Sequence, residues 1–264
     1  MGCLSRQALG FLYRLIVMLI TVNVVASGGA TQAVTVDVPV SQPPAPSGTP
    51  MPSGPAGPWT LMFEDTFSGT ALDTTKWAPS WFGGGSMNNV KTSPALVAVG
   101  GGDLTLSIQD AGTGSLVSTN PHGGANPGFQ FTTGFVEARI WFPGNGTTIY
   151  NWPAWWTDGQ SWPTNGEHDI AEGLGTMTVN YHSSMGAHNT GTVAGIWSNG
   201  WHTYGLHRKV GSADVYFDGV LVRSYPTQDG EAPEYLILNV GSSGGHAMYG
   251  PAGDVKVDYV RAWQ

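Results

Sequence analysis

The sequence predicts an all-β domain, a sandwich or barrel of short strands, over residues 59–264. Three observations point there. Segments of alternating apolar and polar residues recur between glycine-rich and asparagine-rich turns. No apolar stripe at helical spacing runs for three turns. The stretch YFDGVLV carries Asp-Gly between two alternating runs, which suits a tight hairpin turn with positive φ. At 206 residues this region is long enough for one sizeable core, and no internal repeat divides it.

The strands follow in order. LTLSIQ (104–109) alternates, and GFVEARIWF (134–142) sets Val136 and Ala138 against Glu137 and Arg139. TMTVNYHSS (176–184), WHTYGLHR (201–208), ADVYFDGVLVRSY (213–225) and EYLILNVG (234–241) continue the series. The last, VKVDYVRAW (255–263), is strongly patterned and is expected to pair near the N-terminal strand.

Two segments precede this domain. Arg6 and Arg14 lead into the apolar run LIVMLITVNVVA, followed by small residues from Ser27 to Ala33. That order reads as a secretory signal peptide over residues 1–33, with an uncleaved N-terminal anchor as the alternative; the run is short for a bilayer span of about 20 residues. Residues 34–58, rich in proline and poor in large apolar side chains, read as a disordered tether without fixed contacts to the domain. The sole cysteine, Cys3, lies in the leader, so the exported chain forms no disulfide and is held by packing.

Beyond Arg6 and Arg14 the chain carries eight basic and eighteen acidic groups, a net charge of −10. Such a surface argues against nucleic acid and anionic membranes as partners, and mildly against highly sulfated polysaccharides. All eleven tryptophans fall within the domain, more than its core demands.

Three of the eighteen acids, Glu167, Asp169 and Glu172, stand within GEHDIAEGLG (166–175). On a strand Glu167 and Asp169 share one face, while His168 and Ile170 share the other. Strict alternation would turn Glu172 away from its partners. A β-bulge after Ile170 adds one residue and returns it to their face. Two glutamates so placed suit retaining glycoside hydrolysis, which needs a carboxylate nucleophile and a carboxylic acid roughly 5–5.5 Å apart. Like-charge crowding then holds a proton on one of them near neutrality. Glu167 is assigned as nucleophile, Glu172 as acid and base, and Asp169 as the charge and orientation partner. A solvated acidic edge and a calcium site are the competing readings of the spacing alone. Upstream, NWPAWWTDGQSWP (151–163) offers flat indole faces and polar groups of the kind a sugar site uses. Trp152, Trp155 and Trp156 are candidates for sugar contact or for core packing, and alternation forbids Trp155 and Trp156 from sharing one face.

These residues resemble glycoside hydrolase family 16. EHDIAE matches the Glu-x-Asp-x-x-Glu motif of its bulged branch, the laminarinase, agarase and carrageenase side. FEDTFSGTALDTTKW, GFVEARIWFPG, WPAWW, WHTYGLHR, VYFDG, LILNVG and VDYVRAWQ recur in the family's usual order across residues 59–264. The resemblance implies a concanavalin-like jelly roll of two curved antiparallel sheets with a cleft on the concave face, acting on β-linked glucans or galactans with retention. It departs at His168, where an apolar residue is usual; His168 is read as a buried polar contact, not a base. It departs at Ala171, where laminarinases commonly carry methionine, and at Val90, which follows Asn88 and Asn89 in a loop that often continues with glutamate.

Further candidates are Asn88, Arg139, Trp162, His182 and Trp197 for substrate. Arg139 points into the cleft or pairs on an outer face. His182 meets a sugar on the leaving-group side or makes a structural hydrogen bond. Trp162 and Trp197 are stacking platforms. Asp258 resembles an aspartate that holds a structural calcium in some relatives, or is simply solvated. Catalysis needs no cofactor. The function expected is a secreted, monomeric endo-β-glucanase, on β-1,3-glucan first. A β-galactanase or agarase-like hydrolase, a transglycosylase and a non-catalytic β-glucan-binding module are the alternatives; a binding module would have no need of all three acids.

Overall fold

The computed structural model describes residues 48–81, 85–245 and 248–264, Asn189 without its side chain. The expected leader, residues 1–33, and residues 34–47 of the tether lie outside them. Thr49–Gln264 forms one unit. Among the described residues sixteen strands run in order: β1 (Leu61–Asp65), β2 (Ser86–Met87), β3 (Val90–Thr92), β4 (Val97–Gly100), β5 (Asp103–Leu106), β6 (Thr113–Ser118), β7 (Gly134–Trp141) and β8 (Trp152–Gly159). Then come β9 (Glu167–Leu174), β10 (Thr176–Ser183), β11 (Gly186–Thr192), β12 (Trp201–Lys209), β13 (Ser212–Phe217), β14 (Val220–Pro226), β15 (Glu234–Gly241) and β16 (Val255–Trp263). The only helical element among the described residues is a single 3-10 turn, Pro94–Leu96.

The strands form two eight-stranded sheets, the expected jelly-roll sandwich. The first runs β14-β13-β12-β7-β16-β5-β4, with β1 also on β16. The closing strand does pair the first one: Val260 lies opposite Asp65 and Trp263 opposite Leu61. The second sheet runs β11-β10-β9-β8-β15-β6-β3-β2 and is antiparallel except for β3 on β6. The Asp-Gly turn joins β13 to β14 with both central residues at positive φ, 48° at Asp218 and 76° at Gly219, as a primed hairpin turn requires. Asn88 and Asn89 do the same between β2 and β3, at 48° and 65°.

The core lies between the sheets. Val136, Ala138 and Ile140 of β7 and Tyr204 and Leu206 of β12 meet Trp155, Ile170, Val179, Leu236 and Leu238 of the second sheet. Each such aliphatic side chain contributes about 1.5–3 kcal/mol on full burial. All of β15 is buried, because its other face is covered too: Tyr235 and Ile237 join Leu116, Ala154 and Trp156, with Trp81 and Met87 packed on them. That covered outer face of the second sheet positions the site.

The tether differs from its expectation where it is described. Residues 50–55 lie against the first sheet. Trp263 Nε1 donates to the Pro50 carbonyl at 2.8 Å, and the Ser53 amide donates to Glu137 Oε2 at 3.0 Å, with its hydroxyl on the same oxygen. Tyr259 donates its hydroxyl to Glu137 Oε1 at 2.7 Å, leaving Glu137 1% exposed. Proline-rich chain buries little, yet its carbonyls and serine donors fit the polar groups this face presents. Deleting residues 49–57 is therefore expected to cost about 2 kcal/mol through the lost donors to a buried carboxylate. Scanning calorimetry should read this as a fall in Tm of about 4–8 °C. An unchanged Tm would return the segment to the status of a free tether.

Candidate active site

The bulge is present where the spacing requires it. On β8, Ala154 faces Glu172, Trp155 faces Ala171 and Trp156 faces Asp169, so Ile170 has no partner. On β10, Thr178 faces Glu172 and Asn180 faces Asp169, with the same shift. Ile170 and Ala171 both enter the core, and the strand regains phase at Glu172. Glu167, Asp169 and Glu172 consequently line one cleft of about 620 Å³ on the outer face of the second sheet. Trp152, Ala154, Trp156 and Asp158 line it from β8, Asn180 and His182 from β10, and Asn239 from β15. Trp81, Met87, Asn88 and Trp162 complete it.

Each acid has its own partners. Glu172 accepts from Trp152 Nε1 at 2.7 Å on one oxygen, and from Asn180 Nδ2 at 2.6 Å and the Thr178 hydroxyl at 3.3 Å on the other. Glu167 accepts from Trp162 Nε1. Asp169 lies 3.4 Å from His182 Nε2, which is also 4.0 Å from Glu167. Burial pushes the Glu167 carboxyl up, against the opposing pull of His182 and the Trp162 donor. Burial also holds Asp169 well above the ordinary carboxylate range, with the charges of Glu167 and Glu172 adding to it. His182 moves up as well, chiefly through its bond to Asp169. All three shifts favour keeping a proton within the group, as acid–base chemistry on a glycoside requires.

Of the residues singled out in the sequence, Asn88, Trp152, Trp156, Trp162 and His182 stand in the cleft with the three acids. Trp156 stacks on Trp81 at 6.0 Å and donates to Asn239 at 2.7 Å. Trp162 is 60% exposed, as a stacking platform must be. Three candidates for substrate contact are corrected. Trp155 takes the opposite face from Trp156, is fully buried between the sheets and donates to the Tyr204 carbonyl at 3.1 Å. Trp197 packs edge-on against Phe217 at 5.1 Å and donates to the Val193 carbonyl, away from the acids. Arg139 belongs to β7 in the first sheet; it bonds Asp258 at 2.7 Å and lies over Trp201. Asp258, read as a calcium ligand or a solvated group, pairs with that guanidinium. Sequence reasoning passed over Asn180 and Asn239. Asn180 stands two positions from His182 on one strand, a same-face spacing that could have found it.

Beneath the acids His168 points into the sandwich, as its place in the alternation predicts. Its Nδ1 is 2.9 Å from the Tyr225 hydroxyl, and its Nε2 is 3.4 Å from Asp229 and 3.6 Å from Glu234. Arg208 pairs with the same two carboxylates, at 3.1 and 3.0 Å, and donates to the carbonyls of Thr132 and Ala232. Burial pushes Glu234 up; at Asp229 burial is outweighed by His168 and Arg208, which hold it far below the usual range. Gly166 immediately precedes β9 at φ 85°, and a Cβ there would sit 2.8 Å from Asp229 Cβ and Glu234 Oε1. Only glycine lets the acid-bearing strand start this close to the network.

No family model matches the chain. It is 29% identical over 237 residues to a keratan-sulfate endo-1,4-β-galactosidase of Sphingobacterium multivorum, covering 77% of this chain and 55% of that protein. The chain thus spans about half the length of that curated relative. Among solved structures, the LamA catalytic domain of Zobellia galactanivorans superposes with a TM-score of 0.62 at 26% identity, covering 78% of this chain and 98% of that one. A non-specific endo-β-1,3(4)-glucanase of glycoside hydrolase family 16 gives a TM-score of 0.64 at 23% identity, covering 78% and 91%. The two-sheet sandwich of this chain is the fold of these glycosidase structures, and its bulged Glu-x-Asp-x-x-Glu strand carries the residues by which it resembles glycoside hydrolase family 16.

Proposed function

We propose that the chain is a secreted, monomeric, retaining endo-glycosidase that hydrolyses β-linked glucan, with β-1,3-glucan its first substrate. The observation that carries this reading is the bulge that sets Glu167 and Glu172 on one face inside a tryptophan-lined cleft. Glu172 gives its proton to the glycosidic oxygen as the bond to the anomeric carbon breaks. The leaving oxygen takes the place of one of the donors that Glu172 meets in the free protein. Glu167 attacks that carbon from the other side and forms a glycosyl ester. Water then enters, Glu172 takes its proton, and the ester opens with Glu167 leaving as carboxylate. Asp169 and His182 hold charge and proton beside Glu167 through both steps. Trp162, half out in solvent, offers its face to a sugar ring. The carboxylates supply both acid–base and nucleophilic chemistry, so the reading calls on no cofactor for the reaction.

A second reading, hydrolysis of a β-galactoside, draws on the similarity to the endo-β-galactosidase. Eight basic residues in the exported chain offer little to neutralise a densely sulfated polymer. Incubating the purified protein with laminarin, lichenan, agarose and carrageenan separates the cases. Internal cleavage of laminarin with weak dependence on salt is expected. Turnover of carrageenan alone, falling steeply with added salt, would contradict the glucan reading.

A further inference from the structure

Asp158 is a cleft residue for which the proposed reaction has no use. It stands one residue before the end of β8, opposite Glu167 of β9 and Tyr235 of β15, and it shares the cleft face with Trp152, Ala154 and Trp156. It is 5% exposed. Its Oδ2 accepts from the Tyr235 hydroxyl at 3.2 Å, while its Oδ1, buried, has no hydrogen-bond partner among the described residues. An unpartnered oxygen on a buried acid in the wall of a sugar-sized cleft is unsatisfied until a ligand in that cleft reaches it.

We propose that Asp158 is a glycan-binding residue whose free oxygen holds a sugar hydroxyl in the part of the cleft bordered by Glu167 and Trp162. This inference rests on the glycosidase reading above and adds a contact that selects among sugars. The groups that face Asp158 are Glu167 on β9 and Tyr235 on β15, with Glu234 of β15 reaching it through the sheet. None of them is a cation. Burial, and next the charge of Glu167, push the Asp158 carboxyl up to about 8. At neutral pH it therefore keeps its proton. Oδ2 is occupied as an acceptor, so the proton sits on Oδ1 and is free to donate to a sugar oxygen. A neutral acid in this place also leaves Glu167 free to carry the charge that attack requires. An unsubstituted hydroxyl fits the site. A sulfate ester would bring another negative charge beside Glu167.

The test combines affinity and turnover. Binding of laminaritetraose is measured by calorimetry, and KM and kcat on laminarin are followed from pH 5 to 10, for the wild type, Asp158→Leu and Asp158→Asn. Asp158→Leu removes the donor; a rise of about tenfold in Kd and KM is expected, with kcat within about threefold. Asp158→Asn keeps a neutral donor and should recover most of that loss. In the wild type KM should climb above about pH 8, where the donor is lost and a second charge appears beside Glu167; with Asn, which does not titrate, that rise should vanish. Wild-type Kd and KM in Asp158→Leu would overturn the inference while leaving the glycosidase reading intact. A wild type that binds laminaritetraose but cleaves none of the four polysaccharides would sink the glycosidase reading, and the Kd values alone would then decide Asp158. A wild type that does not bind laminaritetraose overturns the contact as proposed.

Discussion

Glu167→Gln should abolish turnover and leave the protein folded. Glutamine keeps the size of the side chain and can still meet Trp162, but its amide does not form a glycosyl ester. The expected fall in kcat is about 10⁴-fold or more, on the order of 5.5 kcal/mol of transition-state stabilisation. Stability should change little or rise, because burial, with the charge of Glu172 adding to it, makes an ionised Glu167 unfavourable in the free protein. Single-turnover assays on laminarin, with Tm measured beside them, check both halves. A Glu167→Gln protein retaining a tenth of the wild-type rate would remove Glu167 from the chemistry.

The second large effect is on stability. Arg208→Met keeps the length and apolar body of the side chain and deletes the cation between Asp229 and Glu234. Two carboxylates then face each other around His168 with one partner gone. Breaking a buried ionic network on one side costs about 3–5 kcal/mol, so the variant should unfold at distinctly lower urea concentration than the wild type. The loss should depend on pH. In the wild type Asp229 titrates far below the usual value, so its contribution is in place above about pH 5 and fades only in acid. Without Arg208 the folded protein holds protons that the unfolded chain has released, and its stability should fall as pH rises. Urea midpoints at pH 5 and pH 8 measure this. A uniform loss below 1 kcal/mol, roughly the worth of a surface ion pair, would mean that Arg208 acts as apolar filling.

The alternation of side chains made much of this legible. It separates Trp155 from Trp156 and sends His168 inward, and the count from Asp169 to Glu172 demands the bulge that the strand contains. Alternation assigns a residue to one of two faces, however, and not to a sheet. Arg139 alternates as a cleft residue would, yet β7 lies in the first sheet, and only the pairing of strands far apart in sequence shows this. The same distance hid the group of His168, Arg208, Asp229 and Glu234, which come from β9, β12, the β14–β15 connection and β15. The proline-rich segment misled for another reason. Its composition reports how little apolar surface it can bury, whereas residues 50–55 are held by the Pro50 carbonyl on Trp263 and by Ser53 on Glu137.

The stereochemistry of the first product tests the central claim most directly. If Glu167 attacks the anomeric carbon and water later displaces it, two inversions return the original configuration. Proton NMR during the first minutes of laminarin hydrolysis should show the β-anomer of the new reducing end, with the α-anomer growing in only through mutarotation. Early appearance of the α-anomer would contradict a covalent intermediate on Glu167 and would leave the two glutamates as the acid and base of a single displacement by water.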